Sequence, residues 1–385
     1  MQNCFIVGSK GIPGSYGGYE TFVDKLTEYH QNNTKLKYHV ACKSTGQEEF
    51  EYHNARCFPI KVPNIGSSQA IYYDILALRE CCKYIEREKI KKPIVYILAC
   101  RIGPFMSYFH KKIKKLGGKI YINPDGHEWL RAKWSMPVRK YWKLSERQMI
   151  KYSDLVVCDS KNIEQYIKSS YGKYKPSTCF IPYGAELGSS SLNSNKKFFE
   201  WCNEKGISPK SYYLVVGRFV PENNYETMIR EFMLSDSEHE LVLITETENK
   251  FLKSLKAKTG FDKDSRIKFV GTVYEQELLT KIRDNAYAYI HGHEVGGTNP
   301  SLLESMGNTK INLLMDVGFN REVAKDGAIY WNKESRNLAT LINVTDGFSN
   351  DNIERLGVKA KERIANIYSW ERVSKLYEEI FLNDD

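Results

Sequence analysis

Residues 286–307, AYAYIHGHEVGGTNPSLLESMG, carry the pattern on which the fold of the second half of the chain depends. The first six residues form a short run rich in aromatic and apolar side chains, which predicts a buried strand. Gly292–Gly297 predicts a turn, and the Asn299-Pro300 pair predicts the first residues of a helix. Such a unit presents unpaired backbone N–H groups and the positive end of a helix dipole to an anion.

Glu304 lies about one turn inside the predicted helix, beside this anion site. A carboxylate at that place suits the paired hydroxyl groups of a ribose better than it suits a phosphate. The stretch therefore predicts half of a site for a nucleotide diphosphate compound, although any α/β domain contains strand, loop and helix units. The residues expected to contact this donor are Gly296, Gly297, Thr298, Asn299 and Glu304.

Strand-like and helix-like runs alternate on both sides of this stretch, which predicts parallel sheets covered by helices on both faces. A length of 385 residues suits two domains. The small, polar segment at residues 183–191 is typical of a linker, so the predicted domains are 1–185 and 186–385. One of the last two helices, which have no strand between them, is a candidate to pack back on the first domain.

The composition is that of a soluble globular protein, with 42% hydrophobic and 27% charged residues. No apolar run approaches the roughly 18 residues expected of a membrane-spanning helix. The opening residues, MQNCFIVGSKG, predict a strand and a turn rather than a signal peptide. Nine cysteines are scattered without a CxxC pair, which favours small core residues in a reducing cytosol over disulfides or metal ligands.

Five glycines lie between the first predicted strand and the first predicted helix, in GSKGIPGSYGG at residues 8–18. They predict a loop that can approach a phosphate or a sugar closely, with Gly17 and Gly18 as donor contacts. The spacing is not GxGxxG, and no Gly-Lys-Ser/Thr follows. The loop therefore disfavours both a dinucleotide-binding Rossmann fold and a P-loop.

Gly217 and Arg218 follow another predicted strand, Tyr212–Val216, at the end where parallel strands open on a ligand crevice. The planar and permanently charged guanidinium of Arg218 suits a diphosphate. The alternative is that Arg218 makes an ordinary ion pair at the surface.

Residues 123–129, NPDGHEW, follow a predicted strand in the first half. Asp125 is the first candidate to orient or deprotonate an acceptor hydroxyl group, and His127 is the second because its ordinary pKa suits proton transfer. The alternative for Asp125 is an Asp-Gly turn without a catalytic role.

Positive charge is concentrated in the first half of the chain. Residues 1–185 contain 30 Lys and Arg against 16 Asp and Glu, whereas the remainder contains 26 against 31. Residues 131–143, RAKWSMPVRKYWK, combine basic and aromatic side chains without an acid, as expected of a surface that contacts anionic lipid headgroups. A solvated helix face and nucleic-acid binding are the alternatives, but no nucleic-acid motif accompanies the stretch. The residues expected to face the acceptor and the membrane are Trp129, Arg131, Lys133, Trp134, Arg139 and Lys140.

No metal site is predicted. Asp262 and Asp264 form a D-x-D sequence, but they lie in a polar loop away from the other candidate residues. His291 and His293 lack carboxylate or cysteine partners at ligand spacing.

These segments together resemble a known enzyme family. GRFVPEN at residues 217–223 and TNPSLLESM at 298–306 look like the C-terminal domain of the GT-B glycosyltransferases of family 4, in which Gly-Arg-x-x-x-x-Lys binds the diphosphate and Glu-x7-Glu holds the sugar and ribose. In the first half, GSKGIPGSYGGYETFV, NPDGHEWLRAKW and CDSKNIEQYI resemble a bacterial subgroup that includes the streptococcal β-1,4-L-rhamnosyltransferases, which act on a lipid-diphosphate-linked sugar. The resemblance covers nearly the whole chain.

Two positions depart from the family pattern. Arg218 and Glu304 match it, but Asn223 stands where the family has lysine and Gly296 stands where it has the first glutamate. Asn223 is still expected to contact the donor. Glu294 lies two residues early and could substitute only in a rearranged loop. The departures suit a 6-deoxy donor sugar with fewer hydroxyl groups to hold, or else a weakened or inactive domain.

The resemblance implies a retaining, metal-independent GT-B enzyme, an α/β fold of two Rossmann-like domains whose parallel sheets face each other across a cleft. It implies transfer of L-rhamnose from dTDP-β-L-rhamnose to a lipid-diphosphate-linked GlcNAc or glucose, in the cytoplasm at the inner face of the plasma membrane. The expected catalytic residues are then Asp125, His127, Arg218 and Glu304.

The open alternatives are another nucleotide sugar, a non-catalytic binding subunit, and an epimerase or phosphorylase of the same architecture. An epimerase would need no acceptor. A phosphorylase would need a lysine for pyridoxal phosphate, and no lysine stands in a recognisable context for that cofactor.

Overall fold

The computed structural model describes residues 1–14, 17–44, 48–131, 134–187, 192–246 and 250–383. The chain divides into two compact units. The first unit combines Met1–Gly184 with Trp370–Asp385, and the second is Ala185–Ser369.

The described part of the first unit contains an eight-stranded sheet. Its strands are β1 (Gln2–Val7), β2 (Leu36–Ser44), β3 (Phe50–Tyr52), β4 (Ala55–Lys61), β5 (Ile94–Leu98), β6 (Lys119–Asn123), β7 (Leu155–Cys158) and β8 (Thr178–Phe180). Their order is β3-β4-β2-β1-β5-β6-β7-β8, in which β3 pairs antiparallel with β4 and the others pair in parallel. β3 was not predicted, because three residues are too few to show an alternating pattern. His53 and Asn54, both with positive φ, make the tight turn into β4.

Helices connect these strands. They are α1 (Gly18–Tyr29), α2 (Gln69–Arg87), α3 (Gly103–Lys115), α4 (Met136–Lys151) and α5 (Lys161–Tyr171). All five residues of β5 are buried, as expected for a central parallel strand with helices on both faces.

The described part of the second unit contains a six-stranded, fully parallel sheet. Its strands are β9 (Tyr212–Val216), β10 (Glu240–Ile244), β11 (Ile267–Gly271), β12 (Ala288–His291), β13 (Ile311–Met315) and β14 (Ile329–Trp331), in the order β11-β10-β9-β12-β13-β14. The helices are α6 (Leu192–Lys205), α7 (Tyr225–Met233), α8 (Lys250–Thr259), α9 (Gln276–Asp284), α10 (Pro300–Asn308), α11 (Gly318–Ala324), α12 (Asn337–Asp346) and α13 (Asn350–Arg363).

The final helix, α14 (Trp370–Leu382), belongs to the first unit and not to the second. The hydroxyl groups of Tyr377 and Tyr96 lie 3.0 Å apart in the core of that unit. A Cβ at Gly184 would lie 2.3 Å from the Trp370 ring, so only glycine permits this approach. The sequence placed the boundary at residue 185 and named one of the last two helices as a candidate to pack on the first domain, and the structure assigns α14 to the first unit.

Each sheet has one point at which the order of its strands reverses. In the first sheet this switch point lies between β1 and β5, and in the second it lies between β9 and β12. Open parallel sheets bind ligands in the crevice outside the carboxyl ends of the two strands at such a point. The loops that follow β1, β5, β9 and β12 are therefore the expected ligand-binding positions.

None of the helices in the described ranges is both long enough and apolar enough to cross a lipid bilayer.

Candidate functional site

Gly217 and Arg218 directly follow β9 at the switch point of the second sheet. The Gly217 carbonyl accepts a hydrogen bond from the Tyr225 hydroxyl at 2.9 Å, which fixes the backbone there. The Arg218 side chain is exposed and makes no ion pair or hydrogen bond with any residue in the described ranges. The alternative of a surface ion pair is therefore not observed, and the guanidinium is available to an anion.

Asn223 and Asn224 join the loop after β9 to the loop after β12. The Asn223 amide donates to the Arg218 carbonyl at 2.8 Å, and its Oδ1 lies 2.9 Å from Nδ1 of His293. Asn224 donates to the Gly292 carbonyl at 2.8 Å. Asn223, predicted as a donor contact, thus uses its side chain to hold two loops of the protein together. A lysine at this position could not accept the hydrogen bond from His293.

The glycine turn fits closely around these side chains. Gly296 has a φ of 134°, and a Cβ there would lie 3.2 Å from Nε2 of His293. A Cβ at Gly292 would lie 2.3 Å from the Asn223 carbonyl oxygen. Gly297 and Thr298, both predicted donor contacts, are buried in the same turn. The backbone of this turn therefore packs directly against Asn223 and His293, next to the loop that carries Arg218.

The N-terminus of α10 differs from the prediction of unpaired N–H groups. The side chain of Asn299 accepts a hydrogen bond from the Ser301 N–H at 2.9 Å, and its carbonyl accepts from Leu302 at 3.1 Å. Pro300 has no N–H to offer. Asn299 is therefore the cap of the helix, because a short polar side chain at this position satisfies the helix's own N–H groups.

Glu304 is paired inside the second unit. Its Oε2 lies 2.6 Å from Nη2 of Arg283, whose side chain is only 2% exposed, whereas that of Glu304 is 28% exposed. The ion pair joins α10 to the end of α9. Arg283 was not predicted, because the contact spans 21 positions and follows no helical or strand periodicity. One carboxylate oxygen of Glu304 is held by the protein, which orients the group toward its exposed side.

The other acidic candidates of the second unit are engaged elsewhere. The Glu294 carboxylate lies 2.6 Å from Nζ of Lys333. Glu294 therefore forms an ion pair and does not take the place of the family glutamate at position 296. Asp262 pairs with Lys256 at 3.0 Å, and Asp264 pairs with Arg266 at 2.7 Å.

Within the described ranges, no group of three or more His, Cys, Asp or Glu residues is arranged to hold a metal ion. Burial lowers the pKa of His291 to about 3, so this residue is neutral at working pH.

The glycine loop of the first unit closes on the start of α1. Glu20 accepts a hydrogen bond from the Lys10 N–H at 2.7 Å, and Asp24 accepts one from the Gly14 N–H at 2.7 Å. Gly17 has a φ of 132°, and a Cβ there would collide with the Glu20 carboxylate. A Cβ at Gly18 would meet nothing within 4 Å. The two predicted contacts thus differ, since Gly17 is required by the backbone and Gly18 borders open space.

Asp125 and His127 follow β6, next to β5, and both have positive φ. The Asp125 N–H donates to Oδ1 of Asn123 at 2.8 Å, which fixes the turn. The His127 ring lies 4.3 Å from the Tyr166 ring. Burial lowers the pKa of His127, although the nearby Glu146 opposes the effect. His127 is therefore mainly neutral at pH 7 and can accept a proton or a hydrogen bond.

Arg101 follows β5 at the switch point of the first sheet, and the sequence analysis did not identify it. Its Nη1 donates to the Gly8 carbonyl at 2.7 Å and lies 3.2 Å from Oδ2 of Asp74. Asp74, on α2, is completely buried, and burial raises the pKa of its carboxyl group to about 6 despite the opposing effect of Arg101. The position of Arg101 after a strand can be recognised in the sequence, whereas its pairing with Asp74 on α2 cannot.

The raised pKa of Asp74 makes the stability of the fold depend on pH. The folded state binds this proton more tightly than the unfolded chain does, so the contribution is largest below about pH 4 and is lost as the pH rises through about 6. We expect the stability of the wild type relative to Asp74→Asn to fall by about 2 kcal/mol between about pH 4.5 and about pH 7. Urea unfolding of both proteins at the two pH values measures this difference, and a difference that does not change with pH would contradict it.

The basic and aromatic segment is only partly exposed. Arg131 is 7% exposed and forms an ion pair with Glu128, which also accepts a hydrogen bond from the Trp134 ring at 2.9 Å. The Trp129 ring is half-buried and lies 4.2 Å from Nζ of Lys143. Arg131 and Trp134 are therefore held by the Glu128 carboxylate, and Trp129 packs against Lys143, so all three stabilise the segment itself.

Other residues of the segment do reach the surface. Lys140 is exposed, Arg139 is half-buried with its Nε donating to the Trp134 carbonyl at 3.0 Å, and Lys133 lies outside the described residues. Positions one turn apart on α4 form an exposed stripe that alternates apolar and basic side chains. The stripe consists of Met136, Lys140, Leu144 and Arg147.

The chain is similar to known proteins in part of its sequence and in its fold. A family model described as a domain of unknown function, DUF1972, matches residues 1–186. No curated protein sequence matches the chain.

Several solved structures match along the whole chain at low sequence identity. A sucrose-phosphate synthase from Thermosynechococcus elongatus has a TM-score of 0.80 at 14% identity, with 100% of both chains covered. A glycosyltransferase from Rickettsia africae has a TM-score of 0.74 at 13% identity, with 99% of this chain and 98% of that chain covered. HepE of Anabaena in complex with UDP-glucose has a TM-score of 0.72 at 12% identity, with 100% of both chains covered. The two Rossmann-like units with parallel sheets thus confirm the predicted α/β class, and the fold is that of the GT-B glycosyltransferases.

Proposed function

We propose that the chain is a retaining glycosyltransferase that moves L-rhamnose from dTDP-β-L-rhamnose to a lipid-diphosphate-linked sugar, GlcNAc or glucose, in cell-wall or capsular polysaccharide synthesis. The observation that carries the proposal is Arg218, an exposed arginine without a partner in the described ranges, next to a glycine turn at a switch point. Structural neighbours named as a glycosyltransferase and as a complex with UDP-glucose support a nucleotide sugar as the donor.

The chemistry requires stabilisation of a departing diphosphate. As the bond between the sugar and the phosphate oxygen breaks, negative charge develops on that oxygen. A guanidinium fixed beside it lowers the energy of the transition state more than that of the ground state. Arg218 is the group proposed for this role, and the exposed side of Glu304 is proposed to hold the ribose hydroxyl groups.

The acceptor hydroxyl group must be positioned and must lose its proton. In a retaining reaction the leaving phosphate oxygen can take that proton, so a strong base is not required. Asp125 is proposed to orient the hydroxyl group by accepting its hydrogen bond, and neutral His127 is the second candidate. No metal ion is needed in this scheme, because Arg218 supplies the positive charge.

The donor sugar is proposed to be a 6-deoxy hexose. Gly296 has no side chain to hold a sugar hydroxyl group, and Asn223 and Glu294 are occupied by His293 and Lys333. A donor that lacks one hydroxyl group needs fewer polar contacts. The second candidate is a retaining glycosyltransferase that uses another nucleotide sugar. The absence of a side chain at Gly296 is compatible with such a donor as well.

Gly18→Ala tests whether the glycine loop borders the ligand. The methyl group would enter open space in a helical position, so thermal unfolding should be unchanged. We expect KM for the nucleotide sugar to rise about tenfold because the methyl group occupies space needed by the ligand. Gly172→Ala is the matched control, since its Cβ also meets nothing within 4 Å. Equal kinetics for the two variants would remove Gly18 from the site.

The first unit is also proposed to contact the membrane surface, on its cytoplasmic face, where a lipid-linked acceptor is found. The α4 stripe offers apolar side chains for the interface and cations for anionic headgroups. Phe105 and Tyr108 on the neighbouring helix α3 are exposed as well. A glycosyltransferase whose acceptor is a soluble sugar would not require this surface.

Replacing Met136 and Leu144 together with serine should reduce binding to vesicles that contain anionic lipid by roughly tenfold, because both apolar anchors are lost. Val358→Ser, at another exposed apolar residue in the second unit, should have no effect. Co-sedimentation at low and high salt measures the change. Equal sedimentation of both variants would show that the stripe is an ordinary solvated helix face.

The proposed function is tested by incubating the chain in EDTA with a panel of nucleotide sugars and lipid-diphosphate acceptors carrying GlcNAc or glucose. Mass spectrometry should show one deoxyhexose added to the acceptor from dTDP-rhamnose only. Transfer from a different donor would keep the enzyme class and replace the sugar. Nucleotide binding without any transfer would favour a non-catalytic binding subunit, and sugar conversion without acceptor would favour an epimerase.

A further inference from the structure

Arg101 occupies the switch point of the first sheet, where an open parallel sheet binds its ligand. Gly8 follows β1 and has a φ of 106°, and a Cβ there would lie 2.2 Å from the Leu98 carbonyl oxygen. The glycine thus lets the end of β1 approach the end of β5. Arg101 reaches across this approach to the Gly8 carbonyl and ties the two strand ends together.

The guanidinium is held from one side only. All the side-chain hydrogen bonds that Arg101 makes with residues in the described ranges use Nη1, toward Gly8, Asp74 and Leu98. Its side chain is 19% exposed. The remaining donors, on Nε and Nη2, are free for a ligand. A buried ion pair contributes little net stability, so a fixed arginine with free donors is more useful for binding than for folding.

Two buried polar atoms near this pair lack partners in the described ranges. They are Oδ1 of Asp74 and Oγ of Ser9, which follows Gly8 directly. Buried polar atoms in folded proteins nearly always have a hydrogen-bond partner, supplied by protein, water or ligand. The surroundings of Arg101 therefore have hydrogen-bonding capacity that the protein itself leaves unused.

Tyr19, in α1, and Asp125, in the loop after β6, meet at Asn123, the last residue of β6. The Tyr19 hydroxyl is within 3.4 Å of Oδ1 of Asn123, the same atom that accepts from the Asp125 N–H. Burial and the Asp125 carboxylate raise the pKa of Tyr19, so its hydroxyl group keeps its proton and can donate. Tyr19, Arg101 and Asp125 thus supply neutral, cationic and anionic hydrogen-bonding groups near the ends of β5 and β6.

We propose that Arg101, positioned by Asp74, forms with Tyr19 and Asp125 a subsite for the hydroxyl groups of a neutral sugar ring. The inference rests on the proposed function and makes this ring the acceptor sugar. Among the described groups that act most strongly on Tyr19 and Arg101, the carboxylates of Asp74, Asp125 and Asp159 outnumber the guanidinium of Arg101, which disfavours a phosphate. A sugar hydroxyl group both donates and accepts, and therefore matches this mixture of groups.

Kinetics of Arg101→Gln test the proposal. Measured where the variant is folded, KM for the acceptor should rise about tenfold or more while KM for the donor stays unchanged. The thermal unfolding temperature should fall, because the buried Asp74 carboxylate loses its charged partner. Tyr19→Phe, which removes one hydroxyl group from the same subsite, should raise only the acceptor KM, by a few-fold. Arg79→Gln, at an exposed arginine of α2, is the control and should change neither. Equal loss for donor and acceptor would mean a structural role and would overturn the proposal.

A binding experiment separates this inference from the proposed function. Saturation-transfer NMR with octyl glucoside and octyl N-acetylglucosaminide should give signals on the sugar ring for the full chain and not for Arg101→Gln. This result would stand even if no donor supported transfer. Loss of the ring signals on adding inorganic diphosphate, or their persistence in Arg101→Gln, would overturn the assignment of this subsite to a neutral sugar.

Discussion

Arg218→Ala is expected to reduce kcat/KM for the nucleotide sugar by about 10²–10³-fold, because it removes the charge beside the departing diphosphate. Thermal unfolding should not change, since the wild-type side chain is exposed and makes no ion pair or hydrogen bond in the described ranges. The measurement is steady-state transfer to the acceptor under saturating acceptor conditions.

Two controls make the Arg218 result specific. Arg355→Ala removes another arginine of the second unit that contacts only Asn352 among the described residues, and it should retain full activity. Arg218→Lys keeps the charge but loses the planar fork, so it should recover part of the activity. Wild-type activity in Arg218→Ala would move the diphosphate site away from the β9 loop.

Glu304→Ala is expected to have the second large effect, on stability as well as on activity. It would leave the guanidinium of Arg283 buried without its charged partner, which costs about 3–5 kcal/mol. Chemical denaturation should therefore show a large loss, and transfer activity should be absent even at temperatures where the variant is folded.

A double substitution separates these two effects. Arg283→Met together with Glu304→Leu replaces the ion pair with apolar side chains of similar size, and this should restore much of the stability. Activity should remain low, because the exposed side of the Glu304 carboxylate is still missing. Recovery of activity in the double variant would show that Glu304 acts only through the fold.

The fold could be predicted because its signals are local. Short apolar strands, intervening helices and the polar linker each show in the sequence, and the parallel sheets follow from their alternation. The prediction failed where the signal was short, as for β3. The sequence named one of the last two helices as a candidate to pack on the first domain, and the structure assigns α14 to the first unit.

The candidate site was only partly predictable. Arg218 and the glycine turn were found because they directly follow strands. The role of Asn223 was not found, because one of its two hydrogen bonds reaches His293, 70 positions later. Arg101 and Arg283 were missed for the same reason, since their carboxylate partners lie on other helices. Residues that follow strands can be predicted, whereas the partners that orient them depend on tertiary structure.

The central claim is that the switch point of the second sheet holds a nucleoside diphosphate. Calorimetric titration of the full chain with dTDP and with UDP in EDTA tests this claim most directly. We predict one binding site, with dTDP preferred, and an affinity about tenfold or more weaker in Arg218→Ala but unchanged in Arg355→Ala. Equal affinity in the wild type and Arg218→Ala, or no binding of either nucleotide, would contradict it.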